Sequence, residues 1–117
     1  MQSFLARRAG ERQDRDLEQH RHAAQDATAI VAMIRERYRP QRIYQWGSVL
    51  HPQRFREYSD IDIAVEGITD PESFFRLLGD AEALTSFPVD TVQLEHVEPA
   101  YRTLIQRHGA IVYERIE

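Results

Sequence analysis

The stretch Ser59-Asp60-Ile61-Asp62-Ile63-Ala64-Val65, which follows Trp46-Gly47-Ser48 after a gap, decides the fold. Its apolar residues predict a strand, and side chains two positions apart on a strand share a face. Asp60 and Asp62 are therefore expected side by side, with Ile61, Ile63 and Val65 on the opposite face. Carboxylates held together repel each other, and the repulsion grows as water is withdrawn. A divalent cation that prefers hard oxygen ligands, magnesium or manganese, is the simplest way to make this arrangement favourable.

A third aspartate, Asp90, lies in a second β-rich run, Pro88-Val89-Asp90-Thr91-Val92. Strands are depleted in aspartate, so these positions need an explanation. One explanation is a sheet edge with carboxylates facing water, since charged edges oppose aggregation. The other is a site, because three carboxylates converge if the strand of Asp90 pairs beside that of Asp62. Gly47 and Ser48 then add amides and a hydroxyl that can bind phosphate, although most Gly-Ser pairs after a strand are plain turns.

Composition excludes several kinds of chemistry. The chain has 117 residues, a net charge of −4, no cysteine, and 15 basic residues that are all arginine. Without cysteine, thiol catalysis, zinc thiolate sites and disulfides are excluded, and without lysine so are P-loop and Schiff-base enzymes. The negative charge argues against nonspecific DNA binding. The apolar runs are too short to span a bilayer and no signal peptide is visible, so we expect a cytoplasmic protein with no membrane contact.

The first third of the chain predicts a long helix. Leu17, Ala24, Val31 and Tyr38 recur every seven residues, and Pro40 ends the pattern. Eight of the twelve residues 7–18 are charged, which favours a frayed, solvated end over an extension that docks on a partner. By length we expect one domain over residues 1–117, with a charged N-terminal extension at 1–16 and a core at about 28–115.

The rest of the chain alternates between strand and helix patterns. Strands are predicted at 42–46, 61–65, 89–94 and 110–113, and a short helix is an option within 49–58. Asp70-Pro71 and Glu98-Pro99 begin two further helices, and Gly109 ends the second. The first of these is expected to bury Phe74, Leu77, Leu78, Ala81 and Leu84, and the second Tyr101, Leu104 and Ile105. The order predicts an α/β fold in which helices cover a small mixed sheet.

The succession of Gly47-Ser48, Asp60-Ile61-Asp62 and Asp90 resembles the nucleotidyltransferase fold of the DNA polymerase β superfamily. The short length and the C-terminal segment from Glu98 to Glu114 are most similar to minimal nucleotidyltransferases, over residues 28–115. Members of that group are paired with helical HEPN partners as antitoxin and toxin. The resemblance implies that Gly47 and Ser48 hold the triphosphate and that Asp60, Asp62 and Asp90 bind the metal ions. Asp90 would also help to deprotonate the acceptor hydroxyl.

The resemblance implies a magnesium- or manganese-dependent enzyme that transfers AMP from ATP to a tyrosine of a HEPN toxin. One departure is that Val49-Leu50-His51-Pro52 stands where many members have a small residue, an arginine and a glycine. Arg54 or Arg56 is a candidate replacement at the phosphates, and either is equally a solvated loop charge. Two alternatives stay open: an antitoxin that acts by binding alone, and transfer to a small molecule or RNA. In the latter the acceptor domain is expected on another subunit, which favours a hetero-oligomer.

Overall fold

A computed structural model describes residues 4–47 and 60–116, with side chains described from residue 7 onward. Helix α1 spans Phe4–Arg37, and Arg35 and Arg37 in its last turn complement the helix dipole. At about 1.5 Å per residue its 34 residues extend for about 51 Å, so α1 sets the 59 Å length of the molecule. Arg39, at a φ of 49°, and Pro40 then turn the chain into the sheet.

The two halves of α1 have different surroundings. Its buried residues begin at Ala23 and continue through Ala27, Ile30 and Ile34. Residues 7–22 are largely exposed, and Leu17 is 44% exposed, so the predicted apolar seam does not extend to it. The expectation of a frayed end was wrong, since this charged half continues the same helix. It is nevertheless solvated, as expected.

Four strands form one mixed sheet in the order β3-β2-β1-β4. Strand β1 (Arg42–Trp46) lies antiparallel to both β2 (Ile61–Glu66) and β4 (Ala110–Glu114). Strand β3 (Val89–Gln93) lies parallel to β2. A parallel pair needs a crossover connection, which α2 (Pro71–Glu82) provides. The predicted strands and the α/β fold class are therefore confirmed, although β3 ends one residue earlier and Leu94–His96 form a 3₁₀ turn.

Helix α2 begins as the sequence predicts. Asp70 caps it, with Oδ2 accepting a hydrogen bond of 2.9 Å from the backbone N–H of Ser73, and Pro71 occupies the first turn. Leu77 and Ala81 are buried, and Phe74 is partly buried against the same core. The prediction for Leu84 was wrong: it lies beyond the end of the helix and is 42% exposed.

Helix α3 spans Pro99–His108, and the backbone N–H of Gly109 caps it by donating to Ile105. Ile105 is buried as predicted, but Leu104 is 54% exposed. The prediction for Leu104 was wrong because only one narrow side of this short helix meets the sheet.

The sheet has a different cover on each face. One face packs against α1 and α2 in a core that includes Ile30, Ile43, Ile63 and Leu77. The opposite face packs against α3 in a smaller core formed by Tyr44, Ala64, Leu94 and Ile105. The alternation of β2 sends Asp62 to this second face.

Candidate active site

The aspartates meet where β2 and β3 run side by side. Asp62 and Asp90 are partners in the parallel register, and Trp46 of β1 is the partner of Asp62 on its other side. Neighbouring strands lie about 4.8 Å apart, so these three positions form a row across the sheet. The condition under which the carboxylates were expected to converge, that these two strands pair side by side, is therefore met.

The position of β2 in the sheet distinguishes between the two explanations of the aspartates, a charged sheet edge and a binding site. Strand β2 is an inner strand, between β1 and β3, and Asp62 is half-buried. Strand β3 is instead at one edge of the sheet, and Asp90 is exposed there. A charged edge therefore accounts for Asp90 alone and does not account for Asp62. Asp60 lies just before β2 and is partly buried, so it adjoins the strand rather than belonging to it.

Gly47 brings the backbone directly onto the Asp62 side chain. Its φ is +80°, a left-handed conformation that glycine adopts at no steric cost. A β-carbon added there would lie 2.2 Å from Oδ2 of Asp62 and 3.1 Å from its Cγ. Glycine is thus required both by the turn and by the close approach. The turn that follows β1 is packed against the carboxylate that β2 supplies.

The electrostatics of Asp62 reflect this crowding. Burial, followed by the negative charges of Asp90 and Asp60, raises the pKa of Asp62 to about 7. All three causes penalise the ionised carboxylate. A cation at this position would remove the repulsion and restore the charged form.

The donor set suits a magnesium or manganese ion that is shared with phosphates. Across residues 4–47 and 60–116, no three histidine, aspartate or glutamate side chains form a group arranged to hold a metal ion on their own. Magnesium, however, is commonly held by one or two carboxylates together with substrate phosphates and water, rather than by an all-protein cage. Asp62 and Asp90 supply two such carboxylates beside the turn at Gly47.

An aromatic pair closes one side of the site. Tyr101 of α3 meets Trp46 edge to face, with ring centroids 5.3 Å apart and an interplanar angle of 85°. Burial raises the pKa of Tyr101, and so do the negative charges of Asp90 and Asp62. The sequence pattern assigned Tyr101 to the buried face of its helix and did not indicate its position near the aspartates. The one relevant signal in the sequence is that Tyr101 lies four positions before the buried Ile105. This spacing indicates that the two residues share a helix face, but it does not indicate which strand that face covers.

The structure does not describe the remaining predicted site residues. Ser48, Arg54 and Arg56 fall outside the described residues, as does the short helix considered for 49–58.

At the far end of the same sheet face, Arg42 pairs with Glu66 at 2.7 Å and also with Glu114. Arg102 of α3 reaches Glu66 at 3.4 Å. These ion pairs attach α3 to the sheet.

Comparison with known proteins assigns the chain to a family. Residues 28–117 match the family model described as Polymerase beta, Nucleotidyltransferase. The chain belongs to this nucleotidyltransferase family. The match begins within α1, at the start of the core predicted from the sequence. A comparison with curated proteins finds no match.

Solved structures share the fold of this nucleotidyltransferase. A crystal structure of the MntA-HepT toxin-antitoxin is 22% identical, with a TM-score of 0.59, over 77% of this chain and 71% of that chain. A toxin-antitoxin structure with AMP-PNP is 24% identical, with a TM-score of 0.64, over 76% and 73%. A third, in which two aspartates two positions apart are changed to glutamate, is 23% identical, with a TM-score of 0.63, over 76% and 73%. At these identities the likeness establishes the fold.

The helices were also compared with the length and hydropathy that a membrane-spanning helix needs. Within the part of the chain that the structure describes, no helix is both long and apolar enough to cross a membrane. Helix α1, the longest, is charged over its first half and packs on the sheet with its second.

Proposed function

We propose that this chain is a metal-dependent nucleotidyltransferase that transfers AMP from ATP to a tyrosine hydroxyl of a helical HEPN toxin and so acts as its antitoxin. The observation that carries the proposal is the register of Asp62 with Asp90, directly against the left-handed turn at Gly47. Carboxylates beside a glycine turn are groups that nucleotidyl transfer can use to hold metal ions and phosphates. The proposed setting is the cytoplasm, where ATP is available.

The chemistry is an in-line displacement at the α-phosphorus of the nucleotide. The acceptor oxygen forms a bond to phosphorus as the bond to the pyrophosphate oxygen breaks, and the acceptor proton passes to the carboxylate of Asp90. Asp62 and Asp90, with Asp60 beside them, would hold magnesium or manganese. The metal would neutralise the charge that develops on the phosphate oxygens and on the leaving pyrophosphate. Gly47 and Ser48 would place the triphosphate through their backbone and hydroxyl groups.

Three features of the similar structures support this assignment. They are toxin-antitoxin structures, one was solved with AMP-PNP, and one carries aspartate substitutions at the spacing that separates Asp60 from Asp62. AMP-PNP is an ATP analogue, which supports ATP as the nucleotide. Membership of the nucleotidyltransferase family supports transfer chemistry independently of these structures.

The experiment uses the purified chain and the protein encoded by the neighbouring gene. The two are incubated with ATP and magnesium, and the intact mass of the neighbour is measured. The proposal predicts an increase by the mass of one or more AMP units, located at a tyrosine by peptide mapping. The double variant Asp60→Ala, Asp62→Ala should add none. An unchanged mass with the wild-type chain, in a mixture where both proteins are folded, would refute the enzymatic function.

A second candidate is an antitoxin that neutralises its toxin by binding alone. The exposed, charged first half of α1 favours it, because a helix surface that faces solvent is available to a partner. The variant Asp90→Ala separates the two candidates. If it still binds the toxin and still protects cells, binding is sufficient; if it binds without protecting, catalysis is required.

A further inference from the structure

Tyr101 of α3 covers the Trp46 end of the row formed by Trp46, Asp62 and Asp90. Tyr101 projects from α3 onto the Trp46 ring, and Trp46 is the cross-strand partner of Asp62 on the same face of the sheet. Edge-to-face geometry is a favoured arrangement of two aromatic rings, so each ring restricts the other. Tyr101 therefore lies at the end of the sheet where Trp46 adjoins Asp62.

The position of Tyr101 is fixed from several sides. Its ring packs against the small core of Tyr44, Ala64, Leu94 and Ile105. The next residue, Arg102, extends to Glu66 at 3.4 Å, and Glu66 is held by Arg42 at 2.7 Å. A side chain on a helix anchored in this way loses little further freedom when it meets a ligand.

The two ring systems present hydrogen-bond donors at the site. The Tyr101 hydroxyl is protonated at neutral pH, as tyrosine ordinarily is, and is therefore a hydrogen-bond donor. The indole Nε1 of Trp46 is buried and has no hydrogen-bond partner among the described residues. Buried donors without partners are rare in folded proteins, and a ligand atom is one way to satisfy them.

We propose that Tyr101 is a substrate-contacting residue of the transfer site, whose hydroxyl donates a hydrogen bond to a substrate oxygen at the α-phosphorus. The inference rests on the proposed function and adds a residue and a role to it. The oxygen belongs either to the nucleotide phosphate or to the acceptor hydroxyl, and both are hydrogen-bond acceptors at the same reacting centre. A donor fixed there stabilises charge as it develops during transfer.

The variant Tyr101→Phe removes the hydroxyl and keeps the ring on Trp46. Its matched control is Tyr113→Phe, because Tyr113 packs against the core on the opposite face of the sheet. Both variants are assayed for transfer to the neighbouring protein and for binding of AMP-PNP with magnesium, and thermal unfolding confirms that both are folded. We expect Tyr101→Phe to lose about tenfold in kcat/KM, the effect of one hydrogen bond at a reacting centre, and Tyr113→Phe to lose none.

The AMP-PNP binding measurement shows whether the oxygen that Tyr101 contacts belongs to the nucleotide or to the acceptor. Weaker AMP-PNP binding by Tyr101→Phe assigns the contact to the nucleotide, whereas unchanged binding with a lower kcat assigns it to the acceptor. Transfer and binding by Tyr101→Phe within twofold of the wild type would overturn the inference and leave the proposed function intact. An equal loss in Tyr101→Phe and Tyr113→Phe would also overturn it, since the effect would then be structural. If the wild-type chain binds AMP-PNP but has no transfer activity, the proposed function is refuted. If, in that case, Tyr101→Phe also binds AMP-PNP as the wild type does, the inference about Tyr101 is refuted as well.

Discussion

The backbone at Gly47 and the carboxylate of Asp62 are packed so closely that a β-carbon on Gly47 would lie 2.2 Å from Oδ2 of Asp62. Gly47→Ala must therefore displace Asp62 and must also adopt a left-handed φ of +80° with a side chain. We expect the variant to lose about 2 kcal/mol of unfolding free energy and most of its transfer activity. Chemical denaturation and the intact-mass assay measure the two effects.

A matched glycine substitution serves as the control. Gly79 lies inside α2, and a β-carbon there would have no heavy atom within 4 Å. Gly79→Ala should raise the unfolding free energy by about 0.5–1 kcal/mol, since alanine favours the helix, and should leave transfer unchanged. If both glycine variants lost activity equally, the contact between Gly47 and Asp62 would not be the cause.

Ionised Asp62 should destabilise the fold in the absence of metal. Burial and the neighbouring Asp90 and Asp60 raise the pKa of Asp62 from 3.8 to about 7, so the folded state binds a proton more tightly than the unfolded state does. The free energy of unfolding should consequently fall as the pH rises from about 4 to about 7. Asp62→Asn removes this charge and should unfold at a higher temperature than the wild type at pH 8, with a smaller difference at pH 5. Thermal unfolding in the presence of a chelator gives both values, and a lower unfolding temperature for Asp62→Asn at pH 8 would contradict the assignment of the pKa.

Magnesium should reverse this penalty. A proton on Asp62 competes with the metal, so stabilisation by magnesium and AMP-PNP should increase as the pH rises through about 7. The measurement is the shift in unfolding temperature on adding both ligands at pH 6 and at pH 8. The shift should be larger at pH 8 for the wild type and nearly absent for Asp62→Asn at either pH. A shift that is the same at both pH values would show that Asp62 does not hold the metal.

The opposite face of the sheet allows stability to be changed without touching the site. The hydroxyl of Tyr38, at the end of α1, donates a hydrogen bond of 2.6 Å to Oδ2 of Asp80 in α2. Tyr38→Phe should lower the unfolding free energy by about 1 kcal/mol, the usual contribution of one partly buried hydrogen bond. Transfer at a temperature well below unfolding should be unchanged. A loss of activity comparable to that of Gly47→Ala would mean that the two faces are coupled.

The face-by-face arrangement of β2 could be predicted because it depends on local sequence. Strand periodicity sets Asp62 against Ile61 and Ile63, and the cap at Asp70 and Pro71 is a contact within one turn. The pairing of Asp62 with Asp90 could only be stated as a condition, because parallel pairing joins segments that α2 separates. Once the pairing is known, the inner position of β2 follows and the sheet-edge explanation of Asp62 fails.

The position of Tyr101 could not be predicted from the sequence, and the reason is geometric. Helical spacing shows that Tyr101 and Ile105 share a face, but the rotation of α3 over the sheet depends on long-range packing with Trp46 and Glu66. The same rotation explains why Leu104 is exposed. Leu84 was misassigned because α2 ends at Glu82, and the helical period carries no information beyond the end of the helix.

The most direct test of the account is a crystal structure of the chain with manganese and AMP-PNP, in which anomalous scattering locates the metal. The account predicts manganese bound by Asp62 and Asp90 and by phosphate oxygens, with the triphosphate against the turn at Gly47. A metal bound elsewhere, or a nucleotide whose phosphates lie away from Gly47, would contradict the assignment of this end of the sheet as the transfer site.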